Sequence, residues 1–179
     1  MDLRYYREIP DFLPREQCLR IVRILESKDN WKEAIVINRD GSTGPSKNRK
    51  QLTVRDQEAD EEENGLGHAL HARMKAEIKE IEKYGEPVLW QFQKNRAGDY
   101  FGWHEDSSPA RPLEATCILY LSDEKSHELQ GGATELRQGS RSVLIEPEVG
   151  KLVVFCSKNP HRGQEVRNGL KYAFVSCFN

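Results

Sequence analysis

The sequence is short of most features that would assign it by composition alone. It has four cysteines, Cys18, Cys117, Cys156 and Cys177, and no two form a CxxC pair, which excludes a zinc ribbon or a thioredoxin-like motif. No apolar run approaches the length of a membrane span. The opening stretch MDLRYYREIPDFLPREQ lacks the apolar core of a secretory signal. Charge of one sign is missing too: 27 basic residues face 29 acidic ones, a net of −2, so overall charge draws the chain neither to nucleic acid nor to a membrane surface. There are no repeats and no low-complexity linker, hence no domain boundary. Hydrophobic residues, at 37%, are few for a globular chain, but they are gathered into strand-like runs, which argues for folding. The expectation is a single reduced, soluble, cytoplasmic domain over residues 1–179, with no nucleic-acid or membrane partner and an oligomeric state the sequence leaves open.

What is present divides into two textures. Residues 1–86 carry helical spacing. Cys18, Ile21, Val22, Ile24 and Leu25 form a 3.6-period stripe over Arg15–Lys28, and Leu66, Leu70, Met74, Ile78 and Ile81 recur in the same way over Leu66–Tyr84, closed by Gly85 and Pro87. Between them, Trp31–Asn38 reads as a strand, 39–50 as a basic Gly/Ser/Pro loop with the choice between surface loop and substrate lid left open, and the acidic run Glu58–Glu63 as a solvated helix start or loop. From residue 87 short apolar runs recur: VLWQFQ, ATCILYLS, ATEL, RSVLIEP, KLVVFC and KYAFVSCF, with turn residues between them. Closely spaced strands of this kind build a sandwich or barrel. The fold class expected is therefore α+β and mainly β, with 1–86 as helical support and lid and 87–179 as the barrel core.

Five histidines are available as ligands. His68 and His71 stand three apart on the second helix without an evident partner and read as surface residues, and His127 falls in a polar loop. His104 differs. Asp106 follows it by two, and in extended backbone residues i and i+2 point to one side, so both reach one ion while Glu105 points away. His161, after the KLVVFC strand, is the candidate third ligand. Two histidines and one carboxylate make the facial triad of non-haem Fe(II) oxygenases, with three positions left open. On the last strand Lys171 shares a face with Ala173, Val175 and Cys177, three small residues that leave room for a ligand. Thr116, Ile118 and Tyr120 share one face of their strand and offer hydroxyls; Cys117, Leu119 and Leu121 share the other.

The pieces AGDYFGWHED, ATCILYLSDE, GGATEL, IEPEVGKLVVFCSKNPHRGQEV and GLKYAFVSCF, in that order over Leu89–Phe178, resemble the prolyl 4-hydroxylase-like branch of the 2-oxoglutarate oxygenases. The resemblance implies a double-stranded β-helix (jelly-roll or cupin-like) barrel with N-terminal helices on one face. It implies Fe(II) on His104, Asp106 and His161, 2-oxoglutarate and O₂ as co-substrates, and room for ascorbate as an addition. Lys171 matches the basic residue that receives the far carboxylate of 2-oxoglutarate, and Tyr120 a tyrosine that helps bind it. Thr116 and Asn95 join the same group, Asn95 standing where many relatives have a tyrosine. Trp103, Tyr100 and Arg49 are the expected substrate contacts. The implied reaction couples decarboxylation of 2-oxoglutarate to hydroxylation of an unactivated C–H bond, first of a prolyl residue in a protein or peptide, otherwise of a free amino acid or small natural-product intermediate. Asp106 is intact where related halogenases have a small residue, which favours hydroxylation. A non-catalytic metal-binding barrel is the alternative of another class, and it predicts a broken ligand or anchor.

Overall fold

A computed structural model describes residues 6–37, 43–45, 49–84 and 87–179. In chain order the elements are β1 (Arg7–Ile9), α1 (Arg15–Glu26), β2 (Lys32–Glu33), β3 (Ile35–Ile37), β4 (Thr43–Pro45), β5 (Arg49–Lys50), β6 (Leu52–Arg55), α2 (Glu61–Glu77), α3 (Lys79–Glu82), β7 (Leu89–Arg96), β8 (Tyr100–His104) and β9 (Ala115–Tyr120). There follow α4 (Glu124–His127), β10 (Gln130–Gly131), β11 (Thr134–Gln138), β12 (Arg141–Ile145), β13 (Leu152–Cys156), β14 (His161–Gly163), β15 (Val166–Asn168) and β16 (Leu170–Phe178).

Two antiparallel sheets carry the barrel. The larger has the order β1-β13-β9-β16-β7-β6-β2, the smaller β12-β11-β14-β8-β5, with two-stranded pairs β10-β15 and β3-β4 beside them. This is the double-stranded β-helix arrangement, with helices on one outer face. Strand alternation assigns the two faces of the larger sheet. Phe92, Cys117, Leu119, Val154, Tyr172, Phe174 and Phe178 meet Ile21, Val22 and Leu25 of α1 and Leu70 and Met74 of α2 in one core. Ile118, Tyr120, Val153, Phe155, Ala173, Val175 and Cys177 turn the other way, to Leu136 and Ile145 of the smaller sheet. Strands β9, β13 and β16 are buried on both faces for this reason.

Local chemistry sets the start of α2. Asp60 caps α2: its carboxylate accepts from the Glu63 backbone N–H, and the Glu63 side chain accepts from that of Asp60. The helix thus begins at Glu61, ahead of the expected Leu66, and breaks at Ile78 before the short α3. Glu63 is not solvated as expected but fully buried, because capping turns it inward, where it also accepts from Asn30. Lys28 bridges Asp60 and Glu62 at 2.7 Å each, joining the end of α1 to the start of α2. His71, expected at the surface, is buried instead: it faces the sheet from α2, with its ring 5.1 Å from Phe174 and 6.2 Å from Trp90 and from Phe178. His68 is exposed and His127 half-buried. The expected strand 31–38 is broken at Ala34 into β2 and β3. Of the basic loop, 39–42 and 46–48 lie outside the described residues. Gly150 has φ +79°, and a Cβ there would stand 2.2 Å from the Leu13 carbonyl oxygen, so only glycine lets the α1 approach dock on the sheet.

Candidate active site

The two histidines meet because β8 and β14 are neighbours in the smaller sheet, where His104 and His161 are direct cross-strand partners. Directly opposed side chains on one face of an antiparallel pair lie within reach of each other, and the ring centroids are 4.1 Å apart. Asp106 follows the end of β8, held by its backbone N–H, which donates to the Ser157 carbonyl at 3.0 Å. Its Oδ1 lies 3.5 Å from His104 Nε2 and its Oδ2 3.5 Å from His161 Nε2. The three ligand atoms fall within 4.8 Å of one another.

Further contacts aim these atoms. His104 Nδ1 is 2.8 Å from the Gly102 carbonyl oxygen and His161 Nδ1 is 3.0 Å from that of Asn159. A carbonyl only accepts, so each Nδ1 carries the proton and each Nε2 keeps its lone pair for a metal. The Thr116 hydroxyl donates to Asp106 Oδ2 at 2.7 Å and contacts Ser157 Oγ at 2.8 Å. Burial alone would raise the Asp106 carboxyl, but His161, His104 and the Thr116 hydroxyl outweigh it and hold the group well below the usual carboxylate range. Burial also lowers the His161 pKa from its ordinary value, against the pull of Asp106, and so favours the neutral ring that a metal requires. His104 is stacked on Phe101, centroids 3.5 Å apart.

The ligands open into a cavity of about 540 Å³ between the two sheets. Thr116, Ile118, Lys171, Val175 and Cys177 line it, as strand alternation requires. Lys171 is buried, its Nζ donating to the Gly132 carbonyl at 2.6 Å; burial lowers its pKa from 10.5 to about 8. No carboxylate forms an ion pair with it among the described residues. Gly132 has φ +73°, and a Cβ there would come within 3.0 Å of the Lys171 side chain. Tyr120 is fully buried and donates to Thr134 Oγ1 at 2.6 Å; Thr134, which the sequence reading passed over, is the hydroxyl that reaches the cavity wall. Ser157, also passed over, supports Asp106. Each belongs to a matching sequence piece or adjoins one, but a small hydroxyl carries no spacing signal of its own.

Asn95 is buried in the wall and donates to Gln51 Oε1 at 3.1 Å. With Gln91 and Gln93 it gives β7 an amide-bearing inner face, while Trp90 and Phe92 point to the helices. Trp103 touches the cavity from the rim, its ring between Arg137 at 4.4 Å and Arg162 at 5.0 Å. Tyr100 lies on β8 away from the cavity wall. Arg49 sits in β5 opposite Phe101; its side chain lies outside the described residues.

The model of the 2OG-Fe(II) oxygenase superfamily matches residues 90–179, which include all three ligands. The chain belongs to that superfamily. Solved oxygenases share the fold. A Pseudomonas putida prolyl-4-hydroxylase superposes with TM-score 0.71 at 17% identity, covering 97% of this chain and 91% of its own. A Trichoplax adhaerens prolyl hydroxylase, solved with a hypoxia inducible factor peptide, gives 0.76 at 17% identity over 97% and 82%. SnoK, a non-heme alpha ketoglutarate dependent carbocyclase from nogalamycin biosynthesis, gives 0.72 at 12% identity over 99% and 82%. No curated protein matches the sequence. As an oxygenase of this superfamily the chain has the donor set that Fe(II) requires: two imidazoles whose Nε2 atoms converge with one carboxylate, and an open cavity on the remaining side. His104, Asp106 and His161 hold the iron, and the superfamily's co-substrate is 2-oxoglutarate. No helix among the described residues is long and apolar enough to cross a membrane.

Proposed function

We propose that this oxygenase hydroxylates an unactivated C–H bond of a prolyl residue in a protein or peptide. The observation that carries the oxygenase chemistry to a coupled hydroxylation is Lys171, a buried cation without a carboxylate partner among the described residues, in the same cavity as an intact triad. A dianionic co-substrate supplies the missing charge. Lys171 receives its far carboxylate, and Thr134, oriented by Tyr120, donates beside it; burial raises the Tyr120 phenol above its ordinary value and keeps it a donor. Thr116 holds Asp106 in its ligating orientation. Iron and 2-oxoglutarate, when bound, supply the redox chemistry with O₂; the protein contributes position, charge and exclusion of water. The choice of a prolyl residue is supported by the shared fold with the two prolyl hydroxylases.

The first experiment is anaerobic titration with Fe(II) and 2-oxoglutarate, read by visible absorption. A charge-transfer band is expected in the native protein, absent in Asp106→Ala and weakened in Lys171→Ala. Succinate release stimulated by prolyl peptides then tests the substrate. No band at saturation rejects coupled oxygenase chemistry, and a band without stimulation by any prolyl peptide rejects the prolyl assignment.

A further inference from the structure

The loop after Asp106 is held unusually firmly. Ser107 N–H donates to the Ser157 carbonyl, Ser107 Oγ accepts from Leu113 N–H, and Ser108 and Arg111 exchange backbone hydrogen bonds of 3.0 Å in each direction. This fixes the backbone of Arg111, five residues after Asp106, where its side chain lines the cavity. Its Nε is shut off from solvent and has no hydrogen-bond acceptor, and among the described residues no acid forms an ion pair with its guanidinium.

The other cations of the cavity are engaged. Arg55 is bound at two points to Glu58, at 3.0 and 3.3 Å. Lys171 donates to Gly132 and is the co-substrate's anchor in the reading above. Of the cavity's acids, Asp106 is a metal ligand held by Thr116, and Glu105 is exposed at the mouth without an ion pair to Arg111. Arg111 is half-buried on a fixed backbone, and a buried Nε–H without an acceptor is costly unless a ligand completes it. The complement of that planar fork is a carboxylate, taken by two parallel charge-assisted hydrogen bonds.

We infer that Arg111 is a specificity residue that receives a carboxylate of the primary substrate; this deepens the oxygenase reading and rests on the cavity being its substrate chamber. The carboxylate comes from an acidic residue of a peptide or from a free acid, and the chemistry at Arg111 is the same.

The test uses the protein loaded with Mn(II) in place of Fe(II) and saturated with 2-oxoglutarate, so that Lys171 is occupied. The probes are N-acetylglycine and N-acetylglycinamide, followed by paramagnetic relaxation of their methyl protons. The acid is expected to bind roughly tenfold more tightly than the amide, the scale of one charge-assisted contact. In Arg111→Gln the preference disappears while Mn(II) and 2-oxoglutarate affinities hold; in Arg111→Lys part of it survives. Equal relaxation of acid and amide by the native protein overturns the inference, as does a preference that outlasts Arg111→Gln. Loss of 2-oxoglutarate affinity in that variant also overturns it, by making Arg111 a co-substrate group. A second arm compares succinate release with prolyl peptides carrying Asp or Asn beside the proline, and with L-proline against L-prolinamide. An Arg111-dependent preference for Asp places the carboxylate in a peptide, and one for L-proline in a free acid. Release with none of the four, while acid-selective relaxation persists, overturns the prolyl assignment and leaves Arg111 as assigned.

Discussion

An ammonium buried against one carbonyl oxygen and the face of one aromatic ring has given up most of its hydration for neutral partners. In Lys171 the result is a pKa near 8, within reach of ordinary assay conditions. Below about pH 8 the group is charged in the folded protein and ready for an anion; above it, binding 2-oxoglutarate requires uptake of a proton. Co-substrate affinity should be flat up to about pH 7.5 and then weaken by up to roughly tenfold per pH unit. Lys171→Arg, charged throughout, should lose this dependence. Isothermal titration from pH 6.5 to 9.5 checks it, and a flat native profile would remove Lys171 from the co-substrate site. Without ligand the same depression costs the folded state stability below pH 8, a cost that fades as pH rises toward the free lysine's 10.5.

Among the elements, α2 shows how a helix is placed by its first turn. Its apolar spacing is legible from Leu66 onward, but its true start is set by Asp60 and Glu63, which a hydrophobic stripe does not reveal. Asp60→Ala removes the cap and one arm of the Lys28 bridge. It should lower stability by about 1 kcal/mol in urea titration, with Fe(II) affinity unchanged because the site lies on the opposite face of the larger sheet. A change in iron affinity would show that the helical layer tunes the site. The strands divide in the same way. Runs such as ATCILYLS and KYAFVSCF announce themselves because both faces are buried and apolar. β8 and β14, which carry the two histidines, do not: YFGWH and HRG are short, contain glycine, and one face of each serves the metal in place of a core.

At the scale of the molecule, the ligand triad and the cavity-facing position of Lys171 were legible because each stands at a fixed spacing inside a longer resembling segment. The residues that support them, Ser157, Thr134 and Gly132, and the unpaired donor of Arg111 were not, because their roles are set by contacts between strands far apart in sequence. Those contacts also bind stability to occupancy. Ligands held only by the folded barrel stabilise it by mass action, about 2.7 kcal/mol at a hundredfold excess over the dissociation constant. Mn(II) with 2-oxoglutarate under argon should therefore raise Tm by roughly 5–10 °C for a chain of this length. Differential scanning calorimetry reads the shift, and Asp106→Ala should show little of it. An equal shift in that variant would mean that the metal binds elsewhere.

The pairing of His104 directly across from His161 has one more consequence. Side chains alternate along a strand, so a slip of β14 by one residue would present Arg162 or Pro160 where the second imidazole belongs. A chain folded with that error has no iron site, so iron held by the triad would stabilise only the correct pairing. Metal affinity is thereby linked to the alignment of β8 and β14, and loading with iron would favour the one register that sets the two imidazoles opposite each other.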